Sequence, residues 1–128
     1  MNTPLLCAAV LCALACIVHL FYGGVRIHRP LQQSNASRLA RAMASVVWHA
    51  ATAMMMLNAA ALAYAANGGA ESGPMVLLIA AQSLAGAALS FFYGISRFGS
   101  VFVMPHWVAF LAITMLALWG AGLIPFSA

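Results

Sequence analysis

The chain has 128 residues, 66% of them apolar and only 5% charged, with five basic residues, all arginine, and a single acid, Glu71. Soluble domains carry about 25% charged residues, and disordered chains combine low hydrophobicity with high net charge, so the composition excludes both. The net charge of +4 comes from the near absence of acids, not from a basic patch interleaved with aromatics, and it gives no support for a nucleic-acid partner.

What remains is a small multi-pass protein whose main partner is the lipid bilayer. A hydrocarbon core about 30 Å thick takes about 20 mostly apolar residues per helix. Four stretches qualify, at about 4–22, 42–66, 74–93 and 101–124. They predict an all-α fold, with 1–128 as one integral membrane domain built as a four-helix bundle. The N-terminal stretch has no positively charged leader and is long enough to cross, so it is expected to be a retained span and not a signal peptide. Gly23-Gly24 is expected to end the first span, since glycine suits a left-handed helix end. Ser34, Asn35 or Ser37 can cap the second helix, and Asn67-Gly68-Gly69 ends it. Glu71 then falls in a short, glycine-rich turn with no expected ligand. Pro74 suits the first turn of the third helix, Gly94 and Gly99 bracket the third loop, and Pro105 lies at the entry of the fourth helix.

Arginine placement sets the expected orientation. Arg26, Arg29, Arg38 and Arg41 lie in or beside the first loop, and Arg97 in the third. By the positive-inside rule both loops face the cytoplasm and both termini are extracytoplasmic, which in a bacterium means the inner membrane. Trp48, Trp107, Tyr22 and Tyr93 fall near the same interface, as an aromatic belt does.

No Asp, Glu, Lys or Arg lies inside a span, which leaves a proton-coupled exporter without its carboxylate. The spans instead hold histidines, and intramembrane ionisable groups are functional candidates by default. At 1.5 Å per residue, His19 lies roughly 5 Å below the arginine-rich boundary, His106 roughly 7 Å and His49 roughly 10 Å. Three helices thus bring one histidine each into a thin layer, where they are expected to point inward and approach one another. Cys12, Cys16 and His19 share a stripe of the first helix, and His49, Thr52 and Met56 a stripe of the second. Such side chains suit copper, iron or zinc. The candidate metal ligands are therefore His19, His49 and His106, with Cys16 one turn deeper and His28 in the first loop. Haem b is the other candidate cofactor, held by two of the histidines, with Arg26 and Arg29 placed to pair its propionates. Against this stands the plain reading, in which each histidine hydrogen-bonds a neighbouring helix and the cysteines are small core residues. Ser83, Gly86 and Ser90 make a small-residue stripe that lets another helix approach, and Asn58 and Gln82 are expected to hydrogen-bond between helices.

The segment from His19 through Gly23, Gly24 and Arg26 to His28 resembles the haem-bearing segment of succinate dehydrogenase membrane anchors, in which a histidine precedes a Gly-x-Arg-His run. The spacing differs by one residue, and those anchors have three spans. The features His19, Gly23, Gly24, Arg29-Pro30-Leu31 and Trp48-His49 also resemble a family of small four-helix bacterial membrane proteins, which implies the architecture and no activity. Two functions stay open on the sequence. One is a histidine-bound cofactor protein in electron transfer or membrane redox chemistry. The other is a non-catalytic accessory or assembly subunit of a larger membrane complex, or a small oligomeric transporter or channel. Catalytic motifs are missing, so whether the chain is an enzyme is left open.

Overall fold

A computed structural model describes residues 1–69 and 72–125. Glu71 and its turn centre lie outside the described residues. Helix α1 runs Thr3–Gln32, α2 Arg38–Ala66, α3 Gly73–Phe98 and α4 His106–Gly120. Among the described residues there is no strand. Helices α1, α2 and α3 have 30, 29 and 26 residues and are long and apolar enough to cross a membrane, while α4 is a shorter apolar helix.

The caps follow local chemistry. Ser37 is the cap chosen for α2, its Oγ accepting from the Ala40 N–H at 3.2 Å. Gly99, at φ 65°, closes α3 in the left-handed conformation, and Ser100 N–H returns to the Gly94 carbonyl at 3.2 Å. The stretch 101–105, read above as the start of the fourth span, is turn. Pro105 precedes the first helical residue, and Trp107 Nε1–H ties the turn down by donating to Val101 O at 3.1 Å. With 15 residues, α4 is only about 22 Å long.

The first helix departs most from expectation. Gly23-Gly24 does not end it. The chain instead widens into a π-helix over His19–His28 and returns to α-helix at Arg29–Gln32. Most π segments are single-turn bulges, so ten residues is a long run.

Helix α1 packs against α2 and α4, and α3 packs against α4, while α2 and α3 touch sparsely. A hydrogen bond from Asn58 Nδ2 to Gln82 Oε1, 3.2 Å, bridges that gap. The expected small stripe on α3 is buried: Ser83 and Ser90 are covered, and Gly86 lies against the Phe110 ring. Thr114 of α4 donates to Phe110 O in its own helix at 2.9 Å and approaches Ala80 O of α3 at 3.3 Å.

The main core cluster lies at one end, where Leu5, Ala8, Ala9 and Cys12 meet Leu62, Ala65, Ala66, Val76, Ile79, Ala80, Ile113 and Ala117. Asn2 locks this end. Its Oδ1 caps α1 at Leu5 N (3.2 Å), its Nδ2 donates to Gly120 O at the end of α4 (2.8 Å), and its backbone N–H donates to Ala66 O at the end of α2 (2.7 Å). Helix ends leave backbone groups unpaired, and one asparagine satisfies such groups on three helices.

Candidate functional site

The stripe Cys12, Cys16 and His19 of α1 faces the backbone of α2. Cys12 Sγ–H donates to Met55 O at 3.3 Å, Cys16 Sγ lies 3.9 Å from Thr52 O, and His19 Nε2 lies 3.4 Å from Trp48 O. The donors advance by four and three residues and the acceptors step back by three and four, as antiparallel helices require. The soft atoms of the expected ligand stripe are thus directed at carbonyl oxygens of α2.

The matching face of α2 is Trp48, Thr52, Met55 and Leu62. The stripe His49, Thr52 and Met56 proposed from the sequence is turned by about one residue, or 100° of helix, so His49 and Met56 are exposed. Thr52 Oγ1–H donates within its own helix, to Trp48 O at 3.0 Å. Two acceptor contacts therefore meet at one carbonyl, that of Trp48.

The Trp48 ring organises the open end. His19 stacks on it with ring centroids 3.8 Å apart and planes 18° apart, and His28 stacks on it at 5.1 Å and 24°. A Cβ on Gly23 would come within 2.8 Å of Trp48 Cη2, so only glycine admits the indole without displacement. His19 and His28 are nine residues apart. In an α-helix, at about 100° per residue, that places them on opposite sides. The i→i+5 bonding of a π-helix lengthens the turn, which returns His28 to the side of His19 and Gly23. His28 is therefore a helical residue facing Trp48, not a loop residue folding over from outside.

His49 touches this group edge-on, its ring 5.7 Å from that of His28 at 68°. His28 Nδ1 is buried without a hydrogen-bond partner among the described residues. His106 is exposed at the start of α4, its nearest ring contact being Phe110 at 6.2 Å. The structure thus brings together His19, His28 and, at the edge, His49; it does not gather His19, His49 and His106 as one ligand set. Among the described residues no group of three or more His, Cys, Asp or Glu is arranged to hold a metal ion. Cys16 lies deeper, buried against α2. Arg26 sits over its own helix's Tyr22 ring at 5.4 Å, and Arg29 is exposed.

Asn2 and Trp48 carry more of the architecture than the sequence reading gave them. Asn2, two residues before Pro4, has the form of an N-cap signal. Nothing in the sequence marks the contact between Gly23 and Trp48. Comparison with protein-family models, curated proteins and solved structures finds no match for this chain.

Proposed function

We propose that the chain is a multi-pass integral membrane protein, with both termini extracytoplasmic, that serves as a non-catalytic accessory subunit docking a larger membrane complex through the outer face of α2. The observation that carries this reading is the outward imidazole of His49. It stands seven residues, roughly 10 Å, inside the apolar stretch that opens at Ala42, and it is exposed. Lipid offers such a group no hydrogen bond, and leaving it unsatisfied is costly. A transmembrane helix of a partner, bearing a polar side chain at this depth, satisfies it. Val46, Met54, Met56 and Leu57 are exposed on the same helix and extend the surface offered. Support also comes from the α1 stripe, whose thiols and imidazole already face carbonyls of α2.

The test is native electrophoresis of the tagged chain after mild extraction from its own membrane. The expected result is a larger complex that His49→Leu dissociates while the isolated chain keeps its melting temperature. A chain migrating alone, in a band unchanged by His49→Leu, overturns the reading. A C-terminal reporter fusion tests orientation and should read as translocated.

A second reading rests on His28 Nδ1, buried with no hydrogen-bond partner among the described residues, in a ring 5.7 Å from that of His49. In this reading His28 and His49 are two ligands of a haem b iron or a transition metal (copper, iron or zinc), and electron transfer is the associated role. His19 is the third candidate, its ring lying on the same indole. An absorption spectrum and elemental analysis of detergent-purified chain decide it. A Soret band or stoichiometric metal that His28→Ala removes favours the cofactor reading; colourless, metal-free protein rejects it.

A further inference from the structure

The geometry points to a binding site for an anionic phospholipid at the open end of the α1–α2 hairpin, with the lipid phosphate held by Arg29, Arg38 and Arg41. Arg26 and Arg29 lie on the last turns of α1, Arg38 and Arg41 on the first turns of α2, and the connection between the two helices spans only 33–37. Four guanidinium groups therefore share one hairpin tip. The chain holds one Asp or Glu in all, Glu71, in the connection that follows the other end of α2. No carboxylate of the chain's own spans neutralises the tip, and like charges gathered on one hairpin tip call for an anion from outside.

The tip is built, not loose. Arg41 Nη1–H donates to Ser34 O at 3.1 Å, and Gln32 Nε2–H donates to Arg41 O at 3.0 Å, so the connection is fastened to the first turns of α2. Arg26 is committed to the Tyr22 ring. Arg29 and Arg38 are exposed with no side-chain hydrogen bond among the described residues. Arginine's planar fork suits phosphate oxygens better than a point charge does.

The surroundings select a lipid over a free phosphate. Leu31 and Leu39 flank the arginines, and Phe21, Val25 and Met43 continue toward the bundle, all exposed. A phosphate at the tip places its acyl chains along this apolar surface. The 30 residues of α1 and 29 of α2 extend roughly 40 Å each, beyond a hydrocarbon core of about 30 Å, which sets the tip in the headgroup layer. This inference concerns the lipid contact alone and is independent of any partner subunit or cofactor.

The test is native mass spectrometry of the purified full chain, released from micelles containing equimolar phosphatidylglycerol and phosphatidylcholine with identical acyl chains. Neutralising one arginine near an anionic headgroup should weaken its retention about fivefold. The expected result is preferential retention of phosphatidylglycerol, lowered about fivefold in Arg29→Gln and further in the Arg29→Gln/Arg38→Gln double variant. Both positions are exposed, and unchanged circular dichroism shows that the variants are folded. Arg97→Gln, at the C-terminal end of α3 on the same side of the bundle but outside the hairpin, should lower the retention less than Arg29→Gln does. Equal retention of the two lipids overturns the inference, as does a preference that survives the double variant. Displacement of the lipid by millimolar inorganic phosphate also overturns it, since that result makes the site one for a free anion.

Discussion

At the end where Asn2 lies, helix termini interlock. Leu62 and Ile113 are almost wholly buried, and a single residue, Asn2, closes the ends of three helices, two through its side chain and one through its backbone N–H. At the opposite end the helices are longer than their contacts. Phe21, Tyr22 and Phe92 are exposed, and the α1–α2 pair is held mainly by rings stacked on Trp48 and by the hydrogen bonds of the hairpin tip. The contrast separates two kinds of stability. In the membrane setting proposed above, apolar burial gives little drive between helices, so the first end depends on close packing of small residues and on satisfied backbone groups. The second depends on a few aromatic contacts across a widened helix, and it keeps arginines and imidazoles available to other molecules. Local opening is expected there before global unfolding.

The largest effect that sharpens this contrast is a cavity at the closed end. Leu62 is fully buried, and Leu62→Ala should destabilise the whole bundle by about 2–5 kcal/mol, read as a lower melting temperature in detergent. A milder loss than from any change at the open end would break the comparison. Next comes Gly23→Val. A side chain at this position collides with the indole, at a cost of about 1–3 kcal/mol for overpacking. Hydrogen exchange should locate the loss in 19–32 with 3–18 still protected, whereas uniform loss along α1 would show that the π segment is not a separate unit. Asn2→Ala removes the α1 cap and the bond to Gly120, and about 0.5–2 kcal/mol is expected. The C-terminal turn of α4 should exchange faster in that variant, and unchanged protection there would dismiss Asn2 as the lock. The smallest effect belongs to Cys16→Ala, whose thiol sits 3.9 Å from its carbonyl. A shift under about 1 kcal/mol is expected, with the melting curve as measure, and a larger one would give that sulfur a role beyond packing.

Much of this was legible from side-chain periodicity. The stripe of Cys12, Cys16 and His19 faces one neighbour, as its spacing requires; Ser37 marks a helix start by its hydroxyl, and Gly99 a helix end by its lack of a Cβ, which admits the left-handed conformation. The candidate site was less legible. Whether His49 or Trp48 faces α1 is a rotation of about 100°. When a helix is apolar on nearly every side, hydrophobic pattern does not choose among its faces. His106 stands at the first residue of α4, because Pro105 and the turn before it start that helix late.

Composition and spacing alone determined the all-helical class, the location of the apolar segments, the gathering of arginines at one end and the histidines near that end. Those properties belong to each segment's own residues and survive any arrangement of its neighbours. Only the tertiary structure decided that α1 passes through Gly23-Gly24 instead of stopping there, that its turns widen so His28 joins His19, and that Asn2 reaches Gly120 across the bundle. Each of these depends on a surface supplied by another helix. Gly23 permits a bare backbone face, but it takes the Trp48 indole, 25 residues further along, to fill it.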